Sequence, residues 1–359
     1  MSPIKPWTAA TKMLSWLLFA GVLLLSATPA LAAPKEGRRV ILDVDPGTDD
    51  AMAILLALNS PEIDVMALTV VAGNVVVGQG IDNALKLVAL AGRCDIPVAR
   101  GAEKPLAQKL TTAEFFHGEN GLGNVDLPPP ACKVDARTAP DLIVELIDKY
   151  PHEITLVPVG PLTNIALALR KDPSIRSKVR EVVLMGGSIS GGNATAAAEA
   201  NIYNDPEAAR AVFEAGWPLT MVGLNVTEKT LFTRADLGQL AKEKGPQARF
   251  AAAVLGFMVG LAERLRAEGT AMHDPLAVGA AIDRTLITTR DMRVDIETRG
   301  EYTRGETVAS RHNSSDRRVL RGDRFVVEGI ETVQPNVHVA VESDAARFNQ
   351  LFLARLEGQ

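Results

Sequence analysis

Residues 39–58 read RVILDVDPGTDDAMAILLAL, and the fold class follows from their pattern. Arg39 to Val44 is rich in β-branched residues and reads as a strand, while Ala51 to Leu58 is built from strong helix formers. Between them a Pro-Gly turn is surrounded by Asp43, Asp45, Asp49 and Asp50. Strand, tight turn and helix make up the repeating unit of an α/β protein.

The unit recurs down the chain. Val65 to Ala72 is apolar throughout, as a strand buried on both faces would be, and helical character returns over Ile81 to Ala91. Ile154–Val159 precedes the helical Leu162–Arg170, Val179–Met185 precedes Pro206–Ala215, and Leu219–Val226 precedes a helix from Arg234 onward. This alternation predicts an α/β fold with a mainly parallel central sheet flanked by helices. No Ser- or Gly-rich linker interrupts it, so a single domain is expected over residues 38–356. Residues 104–136, with Pro128, Pro129 and Pro130, read as a long surface excursion, and loops of that length are often functional.

A chain of 359 residues with 47% hydrophobic content can fill a large core. Its net charge of -5 and lack of any Lys/Arg block argue against a nucleic-acid partner and favour a small molecule. Residues 1–33 differ from the rest. Lys5 and Lys12 precede an apolar run from Met13 to Leu25, and Ala30 and Ala32 supply an A-x-A cleavage site. That pattern is a signal peptide, which predicts export to the periplasm or medium with no stable membrane association after cleavage. An uncleaved anchor is the other reading, because Met13 to Ala33 is long enough to span a bilayer. The two cysteines, Cys94 and Cys132, could pair in an oxidising compartment, but sequence leaves open whether they come within reach.

Ligands of open parallel sheets bind beyond the carboxyl ends of the strands. Asp45, Asn74, Val159-Gly160, Gly186-Gly187 and Asn225 all fall at or near such ends. Asp49 and Asp50 open a helix, where acids are favoured by the exposed N–H groups alone. Four acids around one turn, however, repel each other and need a cation among them. Oxygen donors without Cys or His nearby suit Ca²⁺ or Mg²⁺ rather than Zn²⁺, and Ca²⁺ wants more oxygens than this turn offers. His273-Asp274, just before a helical stretch, is the best distant supplier, although a helix cap is its simpler reading. The Gly-rich stretch from residue 185 to 209 presents Asn193, Glu199, Asn201 and Asn204 before a helix opened by Asp205-Pro206. These are donors and acceptors of the kind a polyhydroxylated ligand needs; a loop facing water is the alternative.

In order and spacing, DVDPGTDDA, GNVVVGQGIDNA, VPVGPLTNIALAL, the MGG to AEANIYNDPEAA stretch, WPLTMVGLNVT, MHDPLAV and TRGEYTRGETV resemble the inosine-uridine preferring nucleoside hydrolase family over nearly all of the chain after the leader. The resemblance implies a Rossmann-like core and hydrolysis of ribonucleosides to free base and ribose. It implies a Ca²⁺ held by Asp45, Asp50, Asp274 and the backbone carbonyl of Val159. Asp45 would be the general base toward a Ca²⁺-bound water, and His273 would protonate the leaving base. Asp49, Asn74 and Asn201 match contacts to the ribose 2′- and 3′-hydroxyls, Asn193 and Glu199 contacts on the 5′-hydroxyl side, and Met185 a residue against the sugar. His117, in FFHGENGLGN, matches a loop that closes over substrate in relatives; as a lone histidine it equally reads as a surface residue. Asp43 reads as structural, Trp217 as core packing, and relatives usually form dimers or tetramers.

The chain departs from the family pattern at three places. Ala200 stands where many members have Phe, Asn225 replaces a common Asp, and residues 311–332 are longer and more polar than expected. Two rival functions follow from the residues. Asp43-Val44-Asp45 at a strand end is the arrangement of haloacid-dehalogenase phosphatases, which Pro46 and TDDA fit poorly. An exported nucleoside-binding protein without catalysis is conceivable given Ala200 and Asn225, but would need neither Asp45 as base nor His273 as acid.

Overall fold

The computed structural model describes residues 1–3, 37–310, 314–321 and 324–357. The leader reading therefore lies outside the described residues except for the first three. The strand expected at the opening of the domain forms as β1 (Arg38–Val44), and α1 (Thr48–Leu58) follows at once. Then come β2 (Ile63–Val70), α2 (Val77–Leu90), β3 (Val98–Arg100), α3 (Glu114–His117), β4 (Val134–Thr138) and α4 (Ala139–Lys149). Next are β5 (Thr155–Pro158), α5 (Thr163–Lys171), β6 (Glu181–Met185), α6 (Ala200–Asn204), α7 (Pro206–Phe213), β7 (Leu219–Val222) and α8 (Leu224–Thr227).

One nine-stranded sheet runs in the order 287–292, 337–343, β7, β6, β5, β1, β2, β3, β4. Every pair is parallel except Ile287–Met292 against Val337–Ser343. The order reverses at β1, which has β2 on one side and β5 on the other. Helices cover both faces, and Glu36–Gln359 form one compact unit. Among the described residues no helix is long and apolar enough to cross a membrane.

Two helices are apolar all round and correspondingly central. In α1 every residue from Thr48 to Ala57 is buried, and the helix His273–Ile282 is buried from Asp274 onward. They pack against each other, so their first turns, both acidic, open on the same rim.

Several boundaries differ from the sequence reading for identifiable reasons. The expected strand Leu219–Val226 stops at Val222, because Gly223 starts a helical turn in which Val226 and Thr227 N–H donate to its carbonyl. Asn225 is therefore on α8 rather than a strand, and its Nδ2 donates to Ala340 O at 2.8 Å. Residues 104–136 are not purely a surface excursion. They contain α3 and the start of β4, Leu122 is fully buried, and Leu106 N–H donates to Asp205 Oδ2 at 2.8 Å. Residues 314–321 and 324–332 pair as an antiparallel hairpin. Trp217 is buried and donates Nε1–H to Val212 O at 3.0 Å, as core packing requires.

Cys94 and Cys132 form a disulfide with Cα atoms 5.1 Å apart, tying the turn after α2 to the segment before β4. Closing a loop across 38 residues restricts the unfolded chain, an effect of about 4 kcal/mol. Reduction is expected to lower the melting temperature by roughly 8 °C; two titratable thiols in the native, unreduced protein would reject the bond.

Candidate active site

The reversal at β1 brings three carboxyl ends side by side: Val159 beyond β5, Asp45 beyond β1 and Asn74 beyond β2. In open parallel sheets this crevice is where ligands bind. Above it stand the first turns of α1 and His273–Ile282. There Asp49, Asp50 and Asp274 each present a carboxylate oxygen within 4.8 Å of the other two.

Asp50 is heavily hydrogen-bonded. Its Oδ1 accepts from Asp45 N–H at 3.0 Å, and its Oδ2 from Gly47 N–H at 2.9 Å and Asn74 Nδ2 at 3.0 Å. Asp45 Oδ2 accepts from Asn74 N–H at 2.6 Å, while its Oδ1 is buried with no hydrogen-bond partner among the described residues. Room for this carboxylate comes from two glycines. A Cβ on Gly73 would stand 2.0 Å from Asp45 Oδ2, and one on Gly160 2.5 Å from Oδ1.

Burial dominates the electrostatics. It raises Asp50 to about 7, with repulsion from Asp49 adding to it, and the three donors do not offset the sum. Burial, then the charge of Asp50, pushes Asp45 well up. Asp274 rises well above its ordinary range through burial and then the charges of Asp49, Asp50 and Asp45. A set of carboxylates this destabilised as anions calls for a positive charge. The buried, unpartnered Oδ1 atoms of Asp45 and Asp49 are free to meet one. The donors are all oxygen, so the residues present fit a hard cation.

Asp43 sits on β1, where its Oδ1 accepts from Thr69 Oγ1 at 2.5 Å and Asn164 Nδ2 at 2.8 Å. Burial raises it to about 7. This is the structural role expected of it, linking β1 to β2 and α5.

Both histidines are held neutral by burial. His273 Nδ1 shares a hydrogen bond with Thr227 Oγ1 at 2.8 Å. His117 is not a surface residue: its Nδ1 accepts from Thr48 N–H at 3.1 Å and bonds Thr48 Oγ1 at 2.9 Å. It therefore caps the helix that carries Asp49 and Asp50. Asp49 Oδ1 lies 3.7 Å from the same nitrogen, but a nitrogen accepting from a backbone N–H carries no proton, so the pair is a contact and not a salt bridge.

Asn201 Nδ2 donates to Val159 O at 2.6 Å and to Met185 O at 3.3 Å, which joins three of the expected residues on the β5–β6 side. Glu199 is buried and caps α6. Its Oε1 accepts from Asn201 N–H at 2.9 Å, and its Oε2 from Gly187 N–H at 2.9 Å and Ile202 N–H at 3.0 Å. Its lone pairs are largely engaged by the backbone. Asn193 is exposed and its Oδ1 accepts from Ala200 N–H at 2.9 Å, bracing its own loop; no contact joins it to the aspartates among the described residues. Ala200 opens α6 and is exposed.

Sequence reasoning passed over Thr48 and Thr227, the partners of the two histidines, and the steric role of Gly73. A glycine directly after an apolar strand run was the available signal for Gly73; nothing local marks the threonines.

Fold and site thus define an α/β protein that receives its ligand at the switch point through carboxylate and amide oxygens. The family model described as inosine-uridine preferring nucleoside hydrolase matches residues 40–350, and the chain belongs to this family. It is 44% identical over 279 residues to the inosine-uridine preferring nucleoside hydrolase of Crithidia fasciculata, covering 77% of this chain and 89% of the relative. It is 40% identical over 322 residues to a pyrimidine-specific ribonucleoside hydrolase of Shewanella woodyi, covering 89% and 98%. A solved plant nucleoside hydrolase superposes with a TM-score of 0.81 at 37% identity, covering 91% of this chain and 100% of that one. The chain is a ribonucleoside hydrolase, an N-glycosidase. The family is metal-dependent, and the aspartate cluster is a site that could hold the ion.

Proposed function

We propose that the chain hydrolyses ribonucleosides with Asp45 as general base and His273 as general acid. The observation that carries this is the Asp45 carboxylate, buried at the switch point beside Asp50 and Asn74 with an Oδ1 that none of the described residues engages. As a water oxygen bonds to C1′, Asp45 takes one of its protons. The C1′–N electron pair leaves with the base, and His273, which Thr227 orients and which must first take a proton from solvent, donates that proton to the leaving nitrogen and returns to its neutral form. Asp49, Asn74 and Asn201 accept from and donate to the ribose 2′- and 3′-hydroxyls, Met185 lies against the sugar, and Asn193 and Glu199 face the 5′ side.

The ion we assign is Ca²⁺, which Asp45, Asp50, Asp274 and the Val159 carbonyl would hold. Asn201 occupies only one of the two lone pairs of that carbonyl. When bound, the ion supplies positive charge that lowers the pKa of water and fixes the ribose hydroxyls. The leader at residues 1–33 and the Cys94–Cys132 bond support the reading that the chain works outside the cytoplasm.

The relatives named above act on inosine, uridine and pyrimidine ribonucleosides, so the test offers inosine, uridine, adenosine and cytidine and measures free ribose. Release from at least one is expected. Calcium-loaded protein that binds nucleosides and returns all four intact would replace hydrolysis with binding.

A further inference from the structure

The stretch TRGEYTRGETV, residues 298–308, has no part in the scheme above, yet three of its residues pack on the Gly-rich turn and the helices that follow it, which carry Glu199 and Asn201. Thr307 is buried, and its hydroxyl bonds Ser188 twice, accepting from Ser188 N–H at 2.8 Å and donating to Ser188 O. Its methyl group fills the space beside Gly187, where a Cβ would come within 2.7 Å of it; Gly187 has φ +71°, a conformation that favours glycine. The turn so clamped presents Gly187 N–H to Glu199 Oε2. Glu199 Oε1 in turn receives Asn201 N–H, and Asn201 Nδ2 reaches Val159 O.

Arg304 braces the same wall from outside. Its guanidinium bonds both carboxylate oxygens of Glu207 on α7 and the Gln108 Oε1 oxygen, while Gln108 Nε2 donates to the carbonyls of Tyr203 and Asn204 on α6. Gly305, at φ +84°, passes so close that a Cβ would stand 2.9 Å from Tyr203 Cα. One short segment therefore fixes the Gly-rich turn, α6 and α7 relative to each other.

We propose that Thr307 is a positioning residue for the sugar: it sets the place of Met185, Glu199 and Asn201 through the Ser188 clamp, and so governs ribose affinity independently of the nucleobase. The inference rests on the hydrolase reading, and wild-type turnover tests that reading separately. Thr307→Val keeps the shape and removes both hydrogen bonds; Thr307→Ser keeps the hydroxyl. In an active enzyme, Thr307→Val is expected to raise KM and the inhibition constant of free ribose together, by about 10-fold and by the same factor for inosine and uridine. Thr307→Ser is expected to restore both. A fall in kcat with KM and ribose inhibition unchanged would mean lost folded protein only, and would overturn the proposal, as would unchanged kinetics. Should Thr307→Val not fold, Arg304→Gln, at a partly exposed side chain, reads out the same two constants with the same expected direction, and no change in them is the overturning result.

Discussion

Asp45→Asn is expected to lower kcat on every ribonucleoside by about 10³-fold, the middle of the range for loss of a positioned general base and equivalent to about 4 kcal/mol of barrier. The amide is isosteric, and the pocket shaped by Gly73 and Gly160 can still contain it. It cannot accept a proton from water. Asp50 and Asp274, whose oxygens lie within 4.8 Å of one another, and the Val159 carbonyl remain in place to hold the ion. Elemental analysis beside the kinetics therefore separates two roles. Lost turnover with metal retained identifies Asp45 as the base. Lost turnover with lost metal makes it chiefly a ligand, and turnover within about 3-fold of wild type removes it from the chemistry.

Chelation is expected to abolish turnover and to lower the melting temperature, with the gap between chelated and calcium-loaded protein widening from pH 5 to pH 8. In the metal-free chain burial raises Asp50 to about 7 and carries Asp45 and Asp274 well up. Glu199 is raised as well, and neutral His117 and His273 offer no compensating charge. A carboxyl whose folded pKa lies above its unfolded value binds more protons folded than unfolded. Its stabilising contribution is complete below about pH 4 and is lost as pH climbs through about 7. A bound cation reverses this by favouring the anions, and at a thousandfold excess over its dissociation constant adds about 4 kcal/mol, or roughly 8 °C. Equal melting temperatures with and without chelator at pH 8 would show that no ion sits among these acids.

Much of this site was legible in one line of sequence. Asp45, Asp49 and Asp50 surround a single turn, and an apolar strand before it and a helix after it place that turn on a rim. The local sequence leaves His117 looking like a surface residue, because nothing near it shows that Thr48, 69 positions away, needs an acceptor for its N–H. LTMVGLNV is apolar enough to place Asn225 on a strand. The turn at Gly223 comes from a long-range contact, Leu224 N–H donating to Gly187 O at 2.9 Å. Motif position makes Glu199 a ligand contact, and three backbone N–H groups claim its oxygens once the loop folds.

Local patterning suffices for the α/β alternation, the identity of the acids and their oxygen-only chemistry, because period, turn residues and helix caps act over a few residues. Long-range packing is what joins Asp274 to Asp49 and Asp50, brings Val159 to Asn201, and lets Thr307 clamp Ser188 across 119 residues. Those meetings follow from the strand order about β1 and from two buried helices packing with their first turns together. Burial then sets the charge states of these groups, because the cost of keeping an anion from water depends on everything packed around it.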